Sequence, residues 1–235
     1  MKIKYIHHSG FIAENDDCAF VIDCCGLSKD SAEIRGCGGR RLYILASHAH
    51  GDHFDRKIMS YGGAAGGGQK WILSSDIRSK VKANKDIYFL SKGDVYRDDL
   101  VTIKAYGSTD EGVSFYIEAE GKKIFHAGDL NNWHWNEEET QEEAAKNERN
   151  YLEELALIAR EHPALDAAMF PVDPRLGKDY TRGAEQFLDS IKVGLFLPMH
   201  FWDNIKAAGA FKAAAEKRGC CFADIRECGD TFTVK

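Results

Sequence analysis

The chain has 235 residues, of which 44% are hydrophobic and 29% charged, enough for the core and the ordinary polar surface of one large α/β domain. Its formal net charge of −6, with no block of Lys and Arg, argues against non-specific binding to nucleic acid or a membrane. The polar start MKIKYIHHSGFIAEN lacks the apolar stretch of a signal peptide, and no run approaches the ~18 apolar residues of a membrane span, so a cytoplasmic location is expected.

Short extended runs open the chain, with strands expected over Ile3–Ile6, Phe11–Glu14 and Ala19–Cys24. Leu42–Ser47, LYILAS, is mostly apolar and predicts a strand buried on both faces. Gly62–Gly68, GGAAGGG, is too short for a domain linker and predicts a flexible loop, so residues 1–235 are expected to form one domain. Strands at Trp71–Leu73 and Ile87–Leu90 flank a short helical segment near Asp76–Val81. Leu100–Tyr106 and Val113–Ala119 follow, the second turning through Glu120–Lys122 into Lys123–His126 as a hairpin.

A long helix is expected from about Glu137 to Arg160. Tyr151, Leu152, Leu155 and Ile158 give it one apolar face, with Leu152 and Leu155 buried, and a Glu-rich first turn suits the positive end of the helix dipole. Then come a strand at Ala167–Val172, a helix at Thr181–Ser190 and a buried strand at Val193–Leu197. A helix at Asn204–Arg218 stopped by Gly219 and a closing strand near Asp230–Val234 complete the chain. Strands dominate early and alternate with helices late, which predicts mixed sheets with helices packed outside.

The seven cysteines are odd in number and include two adjacent pairs, which suits reduced thiols better than a disulfide framework; Cys24 and Cys25 are expected to be small buried hydrophobes. No CxxC pair suggests a zinc ribbon. The chemistry concentrates instead in Ser47-His48-Ala49-His50-Gly51-Asp52-His53. Imidazole nitrogens and carboxylate oxygens are good ligands for zinc, iron or manganese. The preceding strand fixes the loop, and Gly51 lets the backbone turn between the halves of the motif. A merely solvated His-rich turn is the bland alternative, and the density of the motif speaks against it.

Here the chain resembles the metallo-β-lactamase superfamily. The pattern H-x-H-x-D-H after a strand is matched by His48, His50, Asp52 and His53; a Gly-Asp after a later strand by Gly128-Asp129 in KKIFHAGD; and a late His by His200 in LFLPMHF. The opening His8-Ser9-Gly10-Phe11, followed by Val21-Ile22-Asp23, also resembles the branch containing L-ascorbate-6-phosphate lactonase. The resemblance implies a four-layer αββα sandwich of two mixed β-sheets flanked by helices. It implies one or two divalent ions, zinc or manganese/iron. His48 and His50 would hold the first with a third His, Asp52, His53 and His200 the second, and Asp129 would bridge. Asp52 and His200 would be the catalytic residues, around a metal-activated hydroxide.

One departure from the pattern stands out. The nine histidines are at 7, 8, 48, 50, 53, 126, 134, 162 and 200, and none falls where the third histidine of the pattern belongs, between 54 and 125. The corresponding segment is Gly107-Ser108-Thr109-Asp110-Glu111-Gly112, with Asp110 the preferred substitute and Ser108 and Glu111 as alternatives. An oxygen ligand there would shift preference from zinc toward manganese or iron. The other outcome is a weak first position and a single ion.

Several residues carry two readings. His8 either lines the site or is a structural strand histidine; His126 either orients a ligand or is a satisfied core histidine. Trp133-His134-Trp135 either walls a substrate pocket or covers a sheet edge. Asp173 and Arg175, in PVDPRLG, end a strand expected to point toward the same face, and Arg175 either binds a substrate anion or makes a surface salt bridge.

The expected function is hydrolysis of a small-molecule ester, lactone or phosphoester. The missing third histidine keeps a metal-binding but non-catalytic or regulatory protein as the alternative. The acidic charge speaks against a nuclease, and the chain has no room for the flavin domain of a diiron redox enzyme. No nucleic-acid or membrane partner is expected, and fold alone does not set the substrate.

Overall fold

A computed structural model describes residues 1–64 and 68–235. The strands run Lys2–His7 (β1), Gly10–Glu14 (β2), Cys18–Ile22 (β3), Arg41–Ala46 (β4), Gln69–Ser74 (β5), Ile87–Leu90 (β6) and Val95–Arg97 (β7). They continue as Val101–Gly107 (β8), Val113–Ala119 (β9), Lys122–His126 (β10), Ala164–Pro171 (β11), Lys192–Met199 (β12), Cys221–Phe222 (β13) and Thr231–Thr233 (β14). The α-helices are Ala32–Gly36 (α1), Gln141–Glu161 (α2), Arg182–Ser190 (α3), Ile205–Ala210 (α4) and Lys212–Lys217 (α5).

These strands make two seven-stranded sheets, ordered β14-β1-β2-β3-β4-β5-β6 and β13-β12-β11-β10-β9-β8-β7. Each is antiparallel in one part and parallel in the other: β3 to β6 are parallel in the first sheet and β10 to β13 in the second. Strand β4 shows why the sheets stack. Its side chains alternate, so Tyr43 and Leu45 enter the core between the sheets while Leu42, Ile44 and Ala46 enter a second core with Ile34, Ile58 and Ile77. Those three partners come from α1 and from the short 3-10 helices Arg56–Ala64 and Ser75–Lys80. Beyond the other sheet, Phe187 of α3 stacks on Phe125 and Phe170, and Tyr151 of α2 meets Phe170 edge-on. The result is the expected αββα sandwich of two mixed sheets flanked by helices.

The differences from expectation have local causes. Helix α2 begins at Gln141 rather than Glu137, because Thr140 caps it: its hydroxyl accepts from the Glu143 N–H while the Glu143 carboxylate returns to the Thr140 N–H. Leu152 is 41% exposed, not buried. The inward stripe is Tyr151, Leu155 and Ile158, and one residue along a helix is a turn of about 100° away from it. The Asn204–Arg218 helix is broken at Phe211 into α4 and α5, with Asn204 capping the first. Ala64 still belongs to a 3-10 helix, and residues 65–67 of the expected Gly-rich loop lie outside the described residues. Cys24 is buried but Cys25 only half-buried, and all seven thiols are free. No described helix is long and apolar enough to cross a membrane.

The topology sets up the site. Strands β3 and β4 of one sheet and β10, β11 and β12 of the other all discharge their C-terminal ends at one rim, where backbone groups and side chains emerge together.

Candidate metal centre

Strand β4 ends at Ser47, and Asp23, just past β3, holds that end. Asp23 Oδ1 accepts from the Ser47 N–H at 2.8 Å and Oδ2 from its hydroxyl at 2.6 Å. The same Oδ2 lies 2.8 Å from His53 Nδ1. One buried carboxylate therefore fixes both ends of the histidine-rich loop and turns His53 Nε2 inward. Glycine completes the frame. Gly112 has φ +71°, and a Cβ there would sit 2.1 Å from the Ser47 carbonyl oxygen and 2.4 Å from His48 Cβ. Only a glycine lets this turn lie against the loop while Val113 N–H donates to Ser47 O at 2.9 Å.

On the opposite side, His200 follows β12 with Nδ1 2.8 Å from Asp173 Oδ2. Asp173 also accepts from Arg175 Nε at 3.0 Å. Between the two halves stands Asp129. Its Oδ1 is 3.1 Å from His53 Nε2 and 3.3 Å from His200 Nε2, and its Oδ2 is 3.3 Å from His48 Nε2. Asp52 Oδ2 lies 3.3 Å from His8 Nε2 and 3.9 Å from His53 Nε2. His50 Nδ1 is 3.0 Å from His48 Nε2, and its Nε2 is 3.7 Å from Glu111 Oε2. Four sets of donor atoms each fall within 4.8 Å: His8, Asp52, His53 and His200; His48, His53 and Asp129; His48, His50 and Asp52; and His50, Asp110 and Asp129.

All seven residues proposed as ligands from sequence thus lie at this rim. Asp110 is exposed beside His50 and Asp129, Glu111 approaches His50 only, and Ser108 accepts the Asp110 N–H at 3.2 Å.

Electrostatics follow the geometry. Burial raises the Asp129 carboxyl, but the imidazoles of His200 and His53 more than reverse this and hold it well below the ordinary range. Burial lowers His53 and His200, and the carboxylates beside them more than reverse it, so both are raised. His8 stabilises the ionised form of Asp52 and so lowers its pKa. Burial is the largest influence on His48, which is lowered.

The residues fit a divalent cation. His53 Nε2 and Asp129 Oδ1 are buried and close, yet neither has a hydrogen-bond partner. Donors sharing one ion through bonds of about 2 Å stand about 3–4 Å apart without bonding to each other, as these do. Three carboxylates and five imidazoles at one rim also form the mixed oxygen and nitrogen donor set such ions take.

The sequence singled out Asp173 as ending a strand at this face and Asp23 only as part of a resemblance, and gave neither a histidine to hold. Asp23 and Asp173 each hold the far nitrogen of an inward-facing histidine. The signal was available: in VID and FPVD an acid directly follows an apolar strand at the same rim. His126 is a satisfied core histidine, Nε2 2.8 Å from Ser9 O and Nδ1 accepting from Gly128 N–H at 3.1 Å. Trp133 and Trp135 wall a cavity of about 360 Å³ over the site, with Trp202, Arg175, Asp52 and His200. Arg175 is paired with Asp173 and lines this cavity too, its guanidinium carbon 5.0 Å from the centre of the Trp202 ring. A larger cleft of about 940 Å³ lies at the edge strands β6 and β7, away from this chemistry; there Arg41 pairs with Asp98 and Asp99, and Lys70 with Asp86.

No protein-family model matches the chain. Over 249 residues it is 24% identical to the UPF0173 metal-dependent hydrolase STH3160 of Symbiobacterium thermophilum, covering 100% of both chains. Its structure is similar to that of Igni18, a metallo hydrolase from Ignicoccus hospitalis, with TM-score 0.67, 21% identity and coverage of 100% of this chain and 99% of that one. It is also similar to the metallo-β-lactamase fold protein YhfI from Bacillus subtilis, with TM-score 0.63, 11% identity and 98% of each chain covered. The two seven-stranded mixed sheets and their helical outer layers, shared with these structures, give the chain the metallo-β-lactamase fold.

Proposed function

We propose that the chain is a metal-dependent hydrolase of a small ester, lactone or phosphoester. His48, His50, Asp52, His53, Asp110, Asp129 and His200 hold one or two divalent ions. The observation that carries this reading is Asp129: one buried carboxylate within 3.3 Å of imidazoles from three positions in the chain. The naming of relatives as metal-dependent hydrolases supports it.

A divalent ion bound there supplies Lewis acidity, which makes water a nucleophile near neutral pH and polarises a carbonyl or phosphoryl oxygen. The chain's own groups do the rest. Asp23 and Asp173 fix the far nitrogens of His53 and His200, so each Nε2 faces inward, where a bound ion would take the place of its proton. Asp52, a third exposed and held ionised beside His8, accepts a hydrogen bond from the attacking water at the cavity floor and so orients it. His200, beside it, orients the reacting oxygen. Trp133, Trp135 and Trp202 cover the substrate's apolar body, and Arg175 binds an anionic group on it. A phosphorylated lactone, as the likeness to the L-ascorbate-6-phosphate lactonase branch implies, carries such an anionic group. The carboxylate share of the donor set favours manganese or iron over zinc.

The test is a substrate panel of aryl esters, lactones and phosphoesters assayed with metal-replete protein, after chelation, and after return of manganese, iron or zinc. Turnover lost on chelation and regained with metal supports the reading. Tight metal binding with no turnover across the panel overturns it in favour of a non-catalytic or regulatory metal protein.

A further inference from the structure

We infer that His8 is a metal ligand, completing with Asp52, His53 and His200 a set of three imidazoles and one carboxylate. The inference rests on reading this rim as a metal centre and goes beyond the seven residues assigned there.

His8 differs from the other buried histidines. It is 1% exposed, and neither ring nitrogen has a hydrogen-bond partner. A core histidine looks otherwise: both nitrogens of His126 are bonded, and those of His134 reach Asp179 O at 3.2 Å and Asn136 N–H at 3.2 Å. Burying an imidazole with both nitrogens unmet is unfavourable unless something else meets them. His8 Nε2 points at Asp52, 3.3 Å from Oδ2, and its donor atom lies within 4.8 Å of those of Asp52, His53 and His200.

The backbone holds the ring there against its own preference. His8 has φ +52°, unusual for a residue with a side chain. Its carbonyl accepts from the His200 N–H at 3.3 Å, tying the β1–β2 turn to the other sheet. The ring lies 4.2 Å from that of His200 and 4.5 Å from Trp202, centre to centre, which closes off other orientations.

This placement answers the missing histidine differently from Asp110. No histidine lies between 54 and 125, so the position near His48 and His50 has carboxylate neighbours in Asp110 and Asp129. His8 brings an imidazole to the other position. The two are then chemically unequal: a nitrogen-rich one at His8, Asp52, His53 and His200, and an oxygen-rich one at His48, His50, Asp110 and Asp129. The nitrogen-rich position takes up zinc or cobalt first, and the oxygen-rich one fills later and prefers manganese.

The test measures metal, not turnover. Wild type, H8A and H7A are dialysed against graded cobalt, and bound metal is counted by elemental analysis. His7 is the exposed neighbour and serves as control. H8A is expected to weaken the tightest site at least tenfold while H7A matches wild type. Should H8A fail to fold, an anomalous map of cobalt-loaded wild type gives the answer, with an ion about 2.0–2.2 Å from His8 Nε2 expected. Unchanged affinity in folded H8A, or an ion more than about 3 Å from His8 but bound by Asp52, His53 and His200, overturns the ligand role and leaves the proposed function standing. No metal bound by wild type at all overturns both.

Discussion

His200 Nδ1 lies 2.8 Å from the Asp173 carboxylate, and across the rim His53 Nδ1 lies the same distance from Asp23. Each pair fixes which nitrogen carries the proton and leaves the other facing Asp129. Replacing either acid with Asn keeps the shape but lets the ring choose the wrong tautomer. D23N and D173N are each expected to lower metal affinity about 10–100-fold. Metal titration of the folded variants checks this, and wild-type affinity in either would show that its carboxylate is not needed to orient the ring.

Asp110 adds negative charge beside His50 and Asp129. Activity is therefore expected to rise toward alkaline pH and to be higher with manganese or iron than with zinc. D110A should bring metal content toward one ion per chain and reduce turnover without unfolding the protein, and D110H should shift preference toward zinc. Elemental analysis beside rates for each metal decides, and a D110A protein with wild-type count and rate removes Asp110 from the ligand set.

Arg175 projects over the cavity between aromatic rings while its Nε is bonded to Asp173. R175A is expected to raise KM for anionic substrates by about 10–100-fold, the loss of one charged hydrogen bond. Neutral substrates of the same shape should keep their KM. An equal change for both kinds would mean that the arginine acts only by holding Asp173.

Gly112 and Gly93 separate two effects. Both have positive φ, but a Cβ at Gly93 meets nothing within 4 Å, whereas one at Gly112 meets Ser47 O and His48 Cβ. G93A should cost only the backbone strain, about 1–2 kcal/mol. G112A should cost more than this and also lose metal, because Ser47 and His48 must move. Denaturant unfolding and metal content of both variants test the contrast, and equal costs would refute it.

His162, which belongs to none of the metal-capable groups, is stacked on Tyr116 at 3.7 Å with Nε2 2.8 Å from the Tyr106 hydroxyl. Burial lowers its pKa; Lys104 and Lys123 act in the same direction, and Glu161 and Glu118 oppose them. The folded state thus favours the neutral ring. Its contribution to stability is full above the unfolded pKa of about 6.5 and is lost as pH falls through the lowered folded value. H162F is expected to flatten the decline in unfolding free energy between about pH 7 and pH 5. A slope identical to wild type would exclude His162 as a contributor.

Much of the scaffold was written locally. Strand β4 shows itself as LYILAS because it is buried on both faces, and the ligand loop follows directly. Asp23 and His8 were harder to read because their roles depend on partners 30 and 44 positions away, His53 and Asp52. No periodicity encodes such a meeting; it exists only once β1, β3 and β4 lie side by side. Short elements such as β7 and α1 carry too few residues to establish a pattern. Leu152 misled for a related reason: an apolar residue next to a stripe looks the same in sequence as one within it.

The positions of the metal-capable residues along the chain also bear on its synthesis. They begin at His8 and end at His200, on loops of both sheets, with Asp129 between. A ribosome exposes the His48–His53 loop long before it reaches β12. Until then the growing polypeptide offers a few imidazoles without the carboxylate and histidine that complete the cluster, and so only weak, exchangeable binding. On the proposed ligand set, tight uptake of an ion would become possible only after His200 has emerged and the second sheet has closed on the first. Capture of the ion would then lock together halves whose contacts are distant in sequence, making loading the step that commits the newly made chain to its finished form.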